Sequence, residues 1–481
     1  MKKKLLRHFY FKSIFLINMH IIILSIVIFS CAPVKKYLTS TNTFETEDNW
    51  SDPNPSLTNE VNVFLQSKMN PFQACTQENA KIDSNCAPIK ITAGAAEPKK
   101  SSLGYRIMII DDYGMKAAAY TRYRNRVLKN IFENEHTGEF NGSHLTLEMP
   151  KAAKEILLDT FANASYEKMP SELLKPNMDL FYDKFNEMYN KGIFIGHSSN
   201  IFNYLANNSP LSQFVLVYAN DNKFNKTLCN NQLSEDEKLI DIKNLYKNQI
   251  KEIINEIKQF KINFISFSRG YTNEKIRNII RDNKCESISN KFISNINRLF
   301  FEYYLKPLTV GSNALLVQAN AHSNYNITSM VDENFYSDCQ ELKSRVRIGT
   351  ANDVSLSISS EGSHNLRILE SPERNAKKCT DIYINFAVEK ERPNRYRKGV
   401  IHFSDFNIGT SPPAKFEIAS SFATPVAVSY LIHLKMLLQK ENPGLEISNE
   451  MLLKRLNNQK NFIFDPSLHK QLPIYELKYL K

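Results

Sequence analysis

The chain has 481 residues, 42% of them hydrophobic and 23% charged, with a formal net charge of +11. That length can bury one large domain or two ordinary ones, and that composition excludes a disordered or fibrous chain. No dense Lys/Arg tract with interleaved aromatics occurs, so the basic excess gives no footprint for nucleic acid.

The first 30 residues read as an export signal. Lys2, Lys3, Lys4, Arg7 and Lys12 precede an apolar run from about Ile14 to Phe29, which ends at Ser30-Cys31. A small residue before cysteine after such a run resembles a bacterial lipobox. The resemblance implies cleavage before Cys31, a lipid on its sulfur and a chain held to the membrane in the cell envelope, outside the cytoplasm; an uncleaved membrane anchor is the alternative. Removing the five basic residues of this segment takes the formal charge from +11 to +6.

Six cysteines then remain, Cys75, Cys86, Cys229, Cys285, Cys339 and Cys379. An even count in an oxidising compartment favours disulfides, and sequence order suggests pairing each with its neighbour, although six cysteines allow about fifteen arrangements. Residues 31–101 are rich in Ser, Thr, Asn and Pro, with Asp52-Pro53-Asn54-Pro55 and no apolar period near Lys100. This stretch reads as a tether or pro-region with one local disulfide.

From residue 102 to 481, short apolar runs alternate with helical patterns, the signature of a parallel sheet with helices on both faces. Arg106 to Ile110 predicts a buried strand ending at Asp111-Asp112, where α/β proteins place ligands. A long stretch, about 115–192, follows and includes a helical pattern from Lys151 to Phe161; it reads as an insertion, a lid or partner surface. Gly196-His197 opens a helix through Leu205. After it come a strand at Phe214 to Tyr218, a helix with Ile250, Ile253, Ile254 and Ile257 on one face, and a strand at Ile262 to Phe267. Leu315 to Ala319 is a further strand, ending at Asn320. Near the C-terminus, Ala419-Ser420-Ser421-Phe422-Ala423-Thr424-Pro425 is a small-residue turn feeding an apolar helix. Small residues allow a sharp turn with an open hydroxyl, and Pro425 suits the first helical turn, where its missing N–H is no loss.

These segments resemble subtilisin-like serine peptidases. Ser421-Phe422-Ala423-Thr424-Pro425 matches the core of the Gly-Thr-Ser-Met-Ala-(Ser/Thr)-Pro stretch that carries the nucleophile. The strand ending at Asp111 resembles Val-Ala-Val-Ile-Asp-Ser-Gly. Strand alignment assigns the triad acid to Asp111, and the Asp-x-Gly spacing assigns it to Asp112. Gly142-Ser143-His144 resembles Gly-Thr-His, but the family's catalytic histidine stands earlier, at a position occupied by Asn141. His197, with the helix, strand, long helix and strand that follow it, fits better. Ser266-Phe267-Ser268 resembles the Met-Ser-Leu-Gly stretch whose backbone pairs with substrate. Leu315 to Asn320 resembles the strand ending in Ala-Gly-Asn, which implies Asn320 as the side-chain donor of an oxyanion hole. Arg347 to Asp353 and Ile401 to Phe406 resemble late strands of the same family.

The resemblance implies a subtilisin-like three-layer α/β sandwich. It also implies a serine endopeptidase acting through an acyl-enzyme on peptide or protein substrates, with Asp, His and Ser in that chain order. It requires no cofactor, gives no metal site and allows structural calcium bound by loop oxygens. Departures from the pattern are Ser198-Ser199-Asn200 after the histidine, and Ala319 and Ala419 where the family has glycine. They support an alternative, a catalytically inactive lipoprotein of the same fold that binds or scaffolds peptides. An unrelated α/β ligand-binding lipoprotein is the third reading.

Overall fold

The computed structural model describes residues 55–94, 104–111, 123–143, 145–156, 197–209, 211–270, 273–286, 288–320, 337–352, 380–386, 420–458, 463–465 and 469–473. The isolated positions Ala96, Pro98, Leu180 and Lys184 are described as well. The signal segment, Cys31, Asp112, His144, Cys379 and Ile401 to Phe406 lie outside them.

The chain is a mixed α/β protein built on a mostly parallel sheet. Its strands, in chain order, are β1 (Pro88–Ala93), β2 (Arg106–Asp111), β3 (Val127–Glu133), β4 (Phe140–Ser143), β5 (Leu145–Pro150), β6 (Gln213–Tyr218), β7 (Phe264–Phe267), β8 (Leu315–Ala319), β9 (Arg345–Asn352), β10 (Ile382–Phe386), β11 (Ile463–Asp465) and β12 (His469–Pro473). All but β1 and β5 join one sheet, in the order β11-β12-β10-β9-β8-β7-β2-β6-β3-β4. Pairing is parallel from β12 through β3 and antiparallel only at the two edges, β11 with β12 and β3 with β4.

The central strands are apolar on both faces because both faces are covered. In β2, Ile107 and Ile109 enter one core while Met108 and Ile110 enter the other, as the two-residue period of a strand requires. The first core contains helices α3 (His197–Asn208), α9 (Ser420–Glu441) and α10 (Asn449–Asn458). The second contains α4 (Asn222–Leu228), α5 (Glu235–Gln259), α6 (Asn273–Asp282), α7 (Asn290–Phe300) and, beyond a π-helical turn, α8 (Lys306–Val310). The helix α1 (Pro55–Gln73) and the short α2 (Lys151–Glu155) stand with β1 and β5. Helix α9 is long and apolar enough to cross a membrane, yet 67% of its most apolar window is buried inside the protein, as befits a core helix.

Two expectations change. The stretch expected to be a tether or pro-region with one local disulfide holds that disulfide, Cys75–Cys86, but also the helix α1 and the strand β1, which pairs antiparallel with β5 along its whole length. The strand gains its partner only from residues 145–150, so the pairing is invisible locally. Part of the expected insertion is sheet rather than lid. β3 pairs in parallel with β6 and buries Val127, Leu128 and Ile131. Helix α2 covers Lys151–Glu155, the start of the helix predicted to Phe161.

A second disulfide joins Cys229 and Cys285, and Cys339 is disulfide-bonded to a residue outside those described. These bonds indicate a non-reducing, extracytoplasmic location.

Candidate active site at the carboxyl ends of the central strands

The sheet fixes where a site can form. After β2 the chain passes over to β3, returns through β6, and then crosses β2 to reach β7, from which it continues outward to β8 and β9. The connections leaving the adjacent strands β2 and β7 therefore head in opposite directions. Such a switch point opens a crevice beyond the carboxyl ends of the strands, where doubly wound proteins bind ligands. Asp111 is the last residue of β2, and Ser268 follows the last residue of β7.

His197, the first residue of α3, reaches this crevice. Its Nδ1 lies 3.0 Å from both Oδ1 and Oδ2 of Asp111. The carboxylate is 1% exposed and the imidazole 21%. An ionised carboxylate only accepts hydrogen bonds, so facing one, Nδ1 carries the proton and Nε2 holds the lone pair that a base needs. The helix is set by its apolar side: Ile201, Phe202 and Leu205 are fully buried. Phe202 also stands edge-on to Tyr123 and to Phe214 of β6, with centroids 5.8 and 5.1 Å apart. This aromatic file fixes how α3 lies on the sheet, and hence where its first residue stands.

Helix α9 brings the serines. Ser420 is 1% exposed, and its hydroxyl donates to the backbone carbonyl of Asn320. Ser421 is partly exposed, and Phe422 rests against the His197 ring with centroids 5.1 Å apart. Of the adjacent serines, the first is thus committed to the fold and the second is partly exposed, directly before the residue that packs on His197. The opening N–H groups of a helix lack intrahelical acceptors, which makes this turn a natural site for negative charge.

Pro425 is the sixth residue of α9, beyond the first turn where the sequence placed it. Its missing N–H therefore matters: the carbonyl it would have bonded, four residues back, belongs to Ser421. That carbonyl accepts instead from the hydroxyl of Ser268, at 3.1 Å.

The other expected residues divide. Asn320 caps β8 at the same edge and is 3% exposed, but its side-chain amide donates to Thr380 Oγ1 while its backbone N–H bonds Ile348. Ser266 and Phe267 lie inside the sheet, in register with both β2 and β8. Their backbone serves these neighbours instead of an open edge available to substrate. Only Ser268 emerges, and its N–H bonds the carbonyl of Ile110 at 3.3 Å.

Sequence reasoning missed a buried charge cluster one residue further on. Arg269, 6% exposed, pairs with Asp221, whose backbone is left-handed at φ 57°. Glu133 at the end of β3 accepts from the N–H groups of Asn220 and Asp221, at 2.9 and 3.2 Å. Burial pushes the Glu133 carboxyl above the usual range, against the opposing pull of the Arg269 guanidinium. The cluster ties the ends of β3, β6 and β7 together. Its one sequence signal was an arginine two residues after a buried strand.

Among the described residues, no group of three or more His, Cys, Asp or Glu side chains stands together as a metal set. Compared with protein-family models, curated proteins and solved structures, the chain shows no match.

Proposed function

We propose that the chain is a subtilisin-like serine endopeptidase, with a subtilisin-like three-layer fold and a lipid anchor at Cys31. Asp111 orients His197, His197 takes the Ser421 proton, and the Ser421 oxygen attacks a peptide carbonyl. The resulting oxyanion is held by the N–H groups at the start of α9 and by Asn320, once its amide turns from Thr380. His197 then protonates the leaving amine, and water repeats the sequence to release the acid. The substrate is a peptide or protein.

The observation that carries this proposal is the buried Asp111 carboxylate at 3.0 Å from Nδ1 of His197, with Phe422, the residue after Ser421, packed on the same imidazole. Support also comes from the position of all three at a topological switch point. Two observations favour the alternative, an inactive peptide-binding lipoprotein. The amide of Asn320 is engaged by Thr380, and Ala319 and Ala419 stand where the resembling family has glycine.

Labelling of the mature protein with a fluorophosphonate separates the two. A peptidase labels at Ser421, found by mass spectrometry of the tryptic peptide, and both Ser421→Ala and His197→Ala abolish it. Ser421→Ala removes one hydroxyl at a crevice and leaves the unfolding transition within about 0.5 kcal/mol of wild type. A folded wild-type protein that takes no label supports the binding module.

A further inference from the structure

We infer that Ser268 is a positioning residue for the proposed nucleophile, its hydroxyl standing in for the hydrogen bond that Pro425 removes from α9. The inference rests on the reading of Ser421 as the nucleophile.

Two hydrogen bonds of one small, buried residue support it. Ser268 sits at the end of β7, and its backbone N–H donates to the carbonyl of Ile110, the residue before Asp111. Its hydroxyl donates to the carbonyl of Ser421. It is 4% exposed, so neither bond competes freely with water. Ser268 thus joins the strand that carries the acid to the helix turn that carries the serine. The donor that would ordinarily serve the Ser421 carbonyl is missing, because residue 425 has no N–H. Ser420 holds the same turn from the other side through the Asn320 carbonyl, so the turn is pinned to the ends of both β7 and β8. The resemblance to known peptidases uses only the backbone of this segment; the role assigned here belongs to the side chain.

The chemistry makes the pin consequential. A serine attacks only from a narrow range of positions, and a displacement of about 1 Å costs about a hundred-fold in rate. Replacing Ser268 by Ala removes this donor from the turn, and the turn is then free to shift or to admit water.

The test measures fluorophosphonate labelling of the mature protein as a function of probe concentration, for wild type, Ser268→Ala and Ser268→Thr. The limiting labelling rate should fall about ten- to a hundred-fold in Ser268→Ala, with half-saturation unchanged within about twofold. Ser268→Thr, which retains the hydroxyl, should recover most of it. Loss of a merely structural contact would lower the unfolding midpoint without this split. Ser268→Ala labelling as fast as wild type overturns the inference and leaves the proposed function standing. A folded wild type that takes no label overturns both.

Discussion

Replacing Asp111 by Asn changes one atom pair and almost no volume, yet should remove nearly all activity. Both carboxylate oxygens stand 3.0 Å from Nδ1 of His197, and the group is 1% exposed, so water cannot take over its work. A carboxylate can only accept, which forces the imidazole proton onto Nδ1. A carboxamide can turn its NH₂ toward Nδ1, which then accepts, and the proton moves to Nε2, where a base is required. Asn also lacks the negative charge that stabilises the imidazolium formed during attack. In the worked Ser-His-Asp triad this exchange costs about 10⁴-fold in turnover, or about 5.5 kcal/mol of barrier. Stability should change far less, by about 1–2 kcal/mol, because the amide fills the same space and keeps a hydrogen bond to the ring. The assay is the limiting rate of fluorophosphonate labelling at pH 7, with circular dichroism to show that both proteins are folded. Labelling of Asp111→Asn within tenfold of wild type would mean that this pair does not set the histidine tautomer, and the proposed mechanism would fall with it.

Glu133 supplies a pH test. Its folded carboxyl lies above the unfolded value, chiefly through burial. Its contribution to stability is therefore complete below the ordinary carboxylate range and declines as pH rises through the folded value. Glu133→Gln, which can accept the same two backbone N–H groups, should remove that decline. The urea midpoints of variant and wild type should diverge in the variant's favour as pH rises above the ordinary carboxylate range, and parallel curves would refute the assignment. The disulfides supply another test, since they close segments of different length, with sequence separations of 11 for Cys75–Cys86 and 56 for Cys229–Cys285. On the chain-entropy scale, removal should cost about 3 kcal/mol for the first and about 4 kcal/mol for the second. Paired Cys→Ala variants in guanidinium unfolding would show the reverse order if local strand pairing mattered more than loop closure.

Much of the fold was legible because its signals are local. β2, β6, β7 and β8 are buried on both faces, so each reads as a continuous apolar run. The face of α5 that holds Ile250, Ile253 and Ile257 shows a helical period. His197 and Asp111 were legible as an acid and histidine pair only through the resemblance to subtilisin-like peptidases, since 86 residues of chain separate the two side chains that meet.

The sequence by itself determined the α/β class, the strands of the central sheet, the even set of cysteines beyond Cys31 and the residue types available for acid, base and nucleophile chemistry. These follow from apolar period, turn residues and composition, which act over a few residues. Only the tertiary structure decided which partners meet. β1 pairs with β5 across half a hundred residues, β3 belongs to the sheet and not to a lid, and Ser266 and Phe267 are enclosed between β2 and β8. The same holds for the two neighbouring serines, one buried and bonded to Asn320 and the other partly exposed. A hydrogen bond needs a donor and an acceptor within about 3 Å. Which distant carbonyl comes that close depends on how every intervening helix packs on the sheet.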